Sequence, residues 1–157
     1  MPTFSDTKSS ATPEELDSLE KYAEVVFPNE YRNHLLKDNG GQCTPSVFHF
    51  SENGKVTSSC IDRFLPTHKE TWGSLKDYIE TYKIDEKRLP NNLIPVAFDP
   101  GGNLICLSCF GSDAGSVYFW DHENEVDYSE TDDSDTTNLY LIANSFSVFL
   151  ASLTEED

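Results

Sequence analysis

Between Ile94 and Trp120 the sequence carries three short β-type runs, Ile94–Phe98, Leu104–Phe110 and Val117–Trp120. They are joined by Asp99-Pro100-Gly101-Gly102-Asn103 and Gly111-Ser112-Asp113-Ala114-Gly115. Parallel pairing needs a crossover of a dozen or more residues, whereas short Gly-rich links suit hairpins. The three runs are therefore predicted to be adjacent strands of an antiparallel meander. Asp99 and Asp113 read as turn residues, whose side chains bond their own backbone.

Helical and further strand signals flank this meander. Thr12-Pro13-Glu14-Glu15 reads as a helix start: Thr12 can cap, Pro13 suits the first helical position and Glu15 completes a capping box. Leu16, Leu19, Ala23 and Val26 continue it at helical spacing. Pro28 breaks that helix and starts a second one carrying Tyr31, Leu35 and Leu36, predicted to stop at Asn39-Gly40-Gly41, where Asn and Gly tolerate a left-handed cap. Val47-Phe48-His49-Phe50 and a segment around Val56 are candidate strands joined by Glu52-Asn53-Gly54. Trp72, Leu75, Tyr78, Ile79 and Tyr82 form an amphipathic stripe for a third helix packed on the sheet. Leu139–Ile142 reads as a last strand, and Phe146, Phe149, Leu150 and Leu153 mark a final helix capped by Asn144 or Ser145. Residues 1–11 are small, polar and aperiodic and are expected as a flexible tail, leaving 12–157 as a single domain. The predicted class is α+β, a mostly antiparallel sheet with helices packed against it.

Charge bounds the partners. The chain has 28 acidic and 11 basic residues, a formal net charge of −17, and every Lys and Arg lies at or before Arg88. Leu89 to Asp157 holds 13 acids and no Lys or Arg. Such a segment repels phosphate backbones and anionic lipid and attracts basic partners, so neither nucleic acid nor membrane is expected as a partner. The alternative reading is that the acidity only keeps the protein soluble. No run approaches the roughly 18–20 apolar residues of a spanning helix, and Met1-Pro2-Thr3-Phe4-Ser5-Asp6 lacks the blocks of a signal peptide. A cytoplasmic chain with reduced thiols is the expectation.

Catalytic and metal signatures are weak. Neither Gly-Gly turn is followed by the Lys of a P-loop, and His122-Glu123 is followed by Asn124-Glu125-Val126 instead of completing H-E-x-x-H. Cys106 and Cys109 lie three apart on a predicted strand and would face opposite ways, so they read as small apolar side chains, not as zinc ligands. Asp121 to Asp132 faintly resembles a calcium loop, but Val126 stands where the sharp turn needs Gly and Asp132 where a bidentate Glu is needed. His34, His49, His68 and His122 are too scattered to argue a dyad. Asp99, Asp113 and Asp121 could be imagined as paired carboxylates, with nothing in the sequence to bring them together. No catalysis, cofactor or metal is expected.

Several segments, in order, resemble the SUKH superfamily, specifically its Smi/Knr-type family. They are Glu15-Leu16, Phe27-Pro28-Asn29-Glu30-Tyr31-Arg32 with Leu35-Leu36 and Asn39-Gly40-Gly41, Leu93-Ile94-Pro95-Val96-Ala97 with Gly101-Gly102-Asn103-Leu104, Val117-Tyr118-Phe119-Trp120-Asp121-His122, and Ala143-Asn144-Ser145-Phe146 with Phe149-Leu150. The resemblance implies an α+β domain without established catalytic residues. Many bacterial members are immunity proteins that neutralise a polymorphic toxin, often a nuclease, and eukaryotic relatives are regulatory interaction modules. Joined to the charge, it leads to the expectation of an acidic immunity protein against a basic toxin, with a regulatory or scaffold module for another basic partner as the alternative. The candidate docking residues are Asp121, Glu123, Glu125, Asp127, Glu130, Asp132, Asp133 and Asp135, which a solvated loop would also explain.

Overall fold

The computed structural model describes residues 1–70, 73–132 and 135–155. Trp72 of the third helical stripe and Asp133 of the acidic segment lie outside them. The chain runs β1 (Thr3–Ser5), α1 (Pro13–Ala23), α2 (Asn29–Lys37), β2 (Gln42–Thr44), β3 (Val47–Glu52), β4 (Lys55–Cys60), β5 (Arg63–Phe64), α3 (Leu75–Tyr78), β6 (Leu93–Phe98), β7 (Leu104–Ser108), β8 (Val117–Trp120), β9 (Leu139–Ala143) and α4 (Phe146–Ala151). A five-stranded antiparallel sheet in the order β5-β6-β7-β8-β9 carries the fold, beside the two-stranded pairs β1-β2 and β3-β4. This is an α+β architecture, and the predicted meander is its centre.

β7 is buried along its whole length, because it is central in the sheet and covered on both faces. Ile105 and Leu107 join Ile94, Val96, Val117 and Phe119 in the main core, while Leu104 and Cys106 alternate to a smaller cluster with Leu93, Leu89 and Trp120. The strand ends at Ser108, two residues before the predicted end. The Ser108 amide bonds Ser116 and its hydroxyl turns to Asp113, which draws the chain into the β7–β8 turn.

The capping box at Thr12 and Glu15 forms, but α1 stops at Ala23 with Glu24 left-handed at φ 59°. Glu20 causes this early end: its carboxylate accepts the Phe27 amide at 2.6 Å and pairs with Arg32 at 2.8 Å, folding the chain back. Val25 and Phe27 then enter the core, and Val26 between them is 75% exposed, not part of a buried stripe. α2 ends without a left-handed Asn cap. Asn39 is buried and its side chain ties Ser9 and Thr67 together, while Gly40 and Gly41 take positive φ where Pro66 and Ser5 pass close.

Residues 1–11, expected as a flexible tail, are held by the fold. β1 pairs with β2, Lys8 bridges to Asn39 and pairs with Glu70 at 2.7 Å, and Ala11 is buried. Phe4 packs on the rings of His34 and Phe64, an apolar anchor inside an otherwise polar run. The third helix also departs from expectation: after α3 it continues as a π-helix over Ile79–Asp85. The wider π turn sets side chains four apart nearly in line, so Tyr78 and Tyr82 stack at 5.6 Å and reach Phe98 and Trp120 respectively. α4 is capped by Ser145 and buries Phe146, Phe149 and Leu150. No helix among the described residues is long and apolar enough to cross a membrane.

Candidate functional site

The acidic segment leaves the C-terminal end of β8 as a chain of small turns. Asp121 caps a 3-10 turn over His122–Asn124, accepting the Glu123 amide at 2.9 Å and the Asn124 side chain at 2.8 Å. His122 is set by Asn103, whose Oδ1 accepts its backbone amide at 3.1 Å and contacts its Nδ1 at 2.6 Å. Asp127 accepts the amide and hydroxyl of Ser129, and Asp135 those of Thr137; these hydroxyl bonds first, then the amide bonds, hold both carboxyls below the usual range. Glu123, Glu130 and Asp132 are exposed.

Glu125 is not a free acid. It pairs with Arg88, whose guanidinium lies 4.4 Å from the Tyr82 ring centre and 5.2 Å from that of Trp120, while the Arg88 carbonyl accepts the Trp120 indole N–H. Tyr128 fastens the segment further, its amide donating to the Lys87 carbonyl and its hydroxyl to the Asp135 carbonyl. The segment is base-free in sequence, yet a base from the preceding stretch reaches it in space. The only trace of this in the sequence is that Arg88 is the last base and follows the Tyr78–Tyr82 stripe.

The remaining candidates are held in their own loops. Asp99 is buried and accepts from Ser59, the Gly101 and Asn103 amides and the Asn103 side chain, all within 3.0 Å. Asp113 accepts from the Tyr118 hydroxyl at 2.7 Å, the Ser108 hydroxyl at 2.9 Å and the Asn92 side chain at 3.3 Å. Burial, and then Asp113, push the Tyr118 phenol up to about 12, so it remains a donor at neutral pH. Asp99 and Asp113 thus stand in separate turns of the meander and do not face each other across a cleft. Cys106 and Cys109 fall into different clusters, on opposite sides of the sheet, and burial raises both thiols, with Cys109 at about 12, which favours the protonated thiol at neutral pH. Among the described residues no group of three His, Cys, Asp or Glu side chains could hold a metal ion.

The described acids of this segment sit in successive turns after β8, while Asp99, Asp113 and the cysteines stand apart from one another. The SPbeta prophage-derived uncharacterized protein YokK of Bacillus subtilis (strain 168) is 31% identical to this chain over 170 aligned residues, covering 92% of this chain and 76% of that protein. The sequence model of the SMI1 / KNR4 family (SUKH-1) matches residues 10–152, and the protein belongs to that family.

Proposed function

We propose that this protein is an immunity protein: a non-enzymatic cytoplasmic domain that neutralises a basic toxin, of the nuclease class, by covering its cationic surface. The observation that carries the reading is the charge division, with no Lys or Arg from Leu89 to Asp157, joined to family membership. A nuclease presents cationic groups to phosphate, and an acidic protein can occupy that surface in place of nucleic acid. Asp121, Glu123, Asp127, Glu130, Asp132, Asp133 and Asp135 are the proposed contacts. Glu125 belongs to the set through the edge it forms with Arg88. The turn bonds at Asp121, Asp127 and Asp135 support the reading, because acids held in place lose less freedom on docking.

The experiment is co-expression with the product of the adjacent gene, scored by growth, together with binding of the two purified proteins. Rescue of growth and direct binding are expected. Binding to a harmless basic protein would favour the regulatory-module reading, and neither rescue nor binding would overturn both.

A further inference from the structure

The sheet face opposite the main core carries a cleft of about 310 Å³ beside the acidic segment. Its walls include Pro90, Leu139, Tyr118 and Phe110, and Asn92 and Asp113 supply polar groups. The size is at the small end for ligand pockets, room for one long side chain and not for a folded element. Phe110 is 47% exposed, a large ring left at the surface, and lines the cleft together with Asp113. Thr136, next to Asp135, closes the other side, so the cleft is continuous with the acidic segment.

Among the described residues, the three side chains that donate to Asp113 are neutral: Ser108, Asn92 and Tyr118. A carboxylate offers about four acceptor positions, so these three donors leave one open among the described residues, on the oxygen that accepts from Tyr118. The fixed hydroxyls and amide hold the carboxylate in place without cancelling its charge. An anionic acceptor beside two aromatic rings in a narrow cleft is the environment an arginine side chain fits. The guanidinium can place one N–H on the carboxylate and lay its plane against a ring, and it is more weakly hydrated than an ammonium.

We propose that this cleft is the anchor socket for an arginine of the protein partner, with Asp113 as its counter-ion and Phe110 and Tyr118 as its walls. The inference rests on the reading of a basic partner given above and adds where the anchoring side chain enters. The acidic segment draws the partner in over long range, and the socket fixes its position.

The test needs no toxin. Amide resonances of the whole protein are followed while N-acetyl-arginine-N-methylamide is added, with the norleucine and lysine analogues as controls. Arginine should shift Gly111, Ser112, Asp113 and the Asn92 side-chain amide with a dissociation constant on the order of millimolar. Lysine should bind more weakly and norleucine should leave these signals in place. Asp113→Asn should weaken arginine binding about tenfold or more. If that variant fails to fold, Phe110→Ala, at an exposed wall, should weaken it several-fold. Shifts confined to residues 121–135, equal shifts with norleucine, or unchanged binding in the folded variants would overturn the socket. Because the titration is independent of growth rescue, arginine binding without rescue removes the toxin reading and leaves the socket, and rescue without arginine binding does the reverse.

Discussion

His34 shows how one side chain reports on its surroundings. It lies among the rings of Phe4, Phe146 and Phe64 at 4.8, 5.1 and 5.7 Å, and its Nε2 is buried without a hydrogen-bond partner among the described residues. Burial pushes its pKa down to about 4, with Asp38 opposing weakly. The unfolded chain, with an ordinary histidine, then binds more protons than the folded one between about pH 6.5 and 4, so stability is full above that window and falls as pH drops through it. The contribution is of order 2–3 kcal/mol. His34→Phe should remove it: the stability that urea denaturation shows to be lost between pH 7 and 4 should be smaller in the variant than in the parent by about that amount, since the carboxylates are common to both. Parallel curves would show that His34 titrates normally. Two glycines make a sharper contrast. Gly54 sits at φ 82° with nothing within 4 Å of an added Cβ, so Gly54→Ala should cost only the left-handed conformation, about 1–2 kcal/mol. At Gly41, φ is 89° and a Cβ would lie 2.3 Å from the Ser5 carbonyl, which cannot yield without breaking β1 from β2. Gly41→Ala should cost roughly 3 kcal/mol or more. Equal melting temperatures for the two variants would contradict this packing of the N-terminal strand.

Among the elements, α4 is anchored by two buried rings, Phe146 and Phe149. Phe149 is fully buried, 6.1 Å from Phe146 and 6.3 Å from Phe48, so it joins the helix to the β3–β4 pair. Phe149→Ala should destabilise by about 3–5 kcal/mol, measured by denaturant unfolding, and a loss under about 1 kcal/mol would mean the helix packs by other contacts. That stripe was legible in the sequence because Ser145 caps it and the period is undisturbed. The meander was legible for the same kind of reason, since strand and turn chemistry agree locally. What the sequence hides is decided by distant groups. α1 is cut short by Glu20 reaching Phe27 and Arg32, the π turn brings Tyr78 and Tyr82 to rings on two strands, and β1 forms because Gln42–Thr44 offers it an edge. In the acidic segment the count of acids was legible, and the pairing of Glu125 with Arg88 from 37 residues away was not.

Over the whole molecule the unresolved force is its own charge. A folded chain of this length has a radius of gyration of about 15 Å. At 0.01 M salt the screening length is about 30 Å, so the −17 acts as one repelling body, whereas at 0.15 M it is about 8 Å and only neighbours interact. Raising salt across that range should therefore raise the melting temperature by about 2–4 °C, on the order of 1 kcal/mol. Changing Asp121, Glu123, Asp127, Glu130, Asp132, Asp133 and Asp135 to Asn or Gln should shrink that salt response. Glu125 is kept, because removing it leaves Arg88 without its 125-side carboxylate and adds a packing effect to the charge effect. The same set acts differently once a basic partner is present. Exposed acids gain from approach over long range but are screened after contact, so the neutralised protein should associate at least about tenfold more slowly at low salt with little change in dissociation. At 0.5 M salt the two association rates should converge, since the remaining difference is then purely local. An unchanged association rate at low salt would move the docking surface away from this segment, to the helical or N-terminal side.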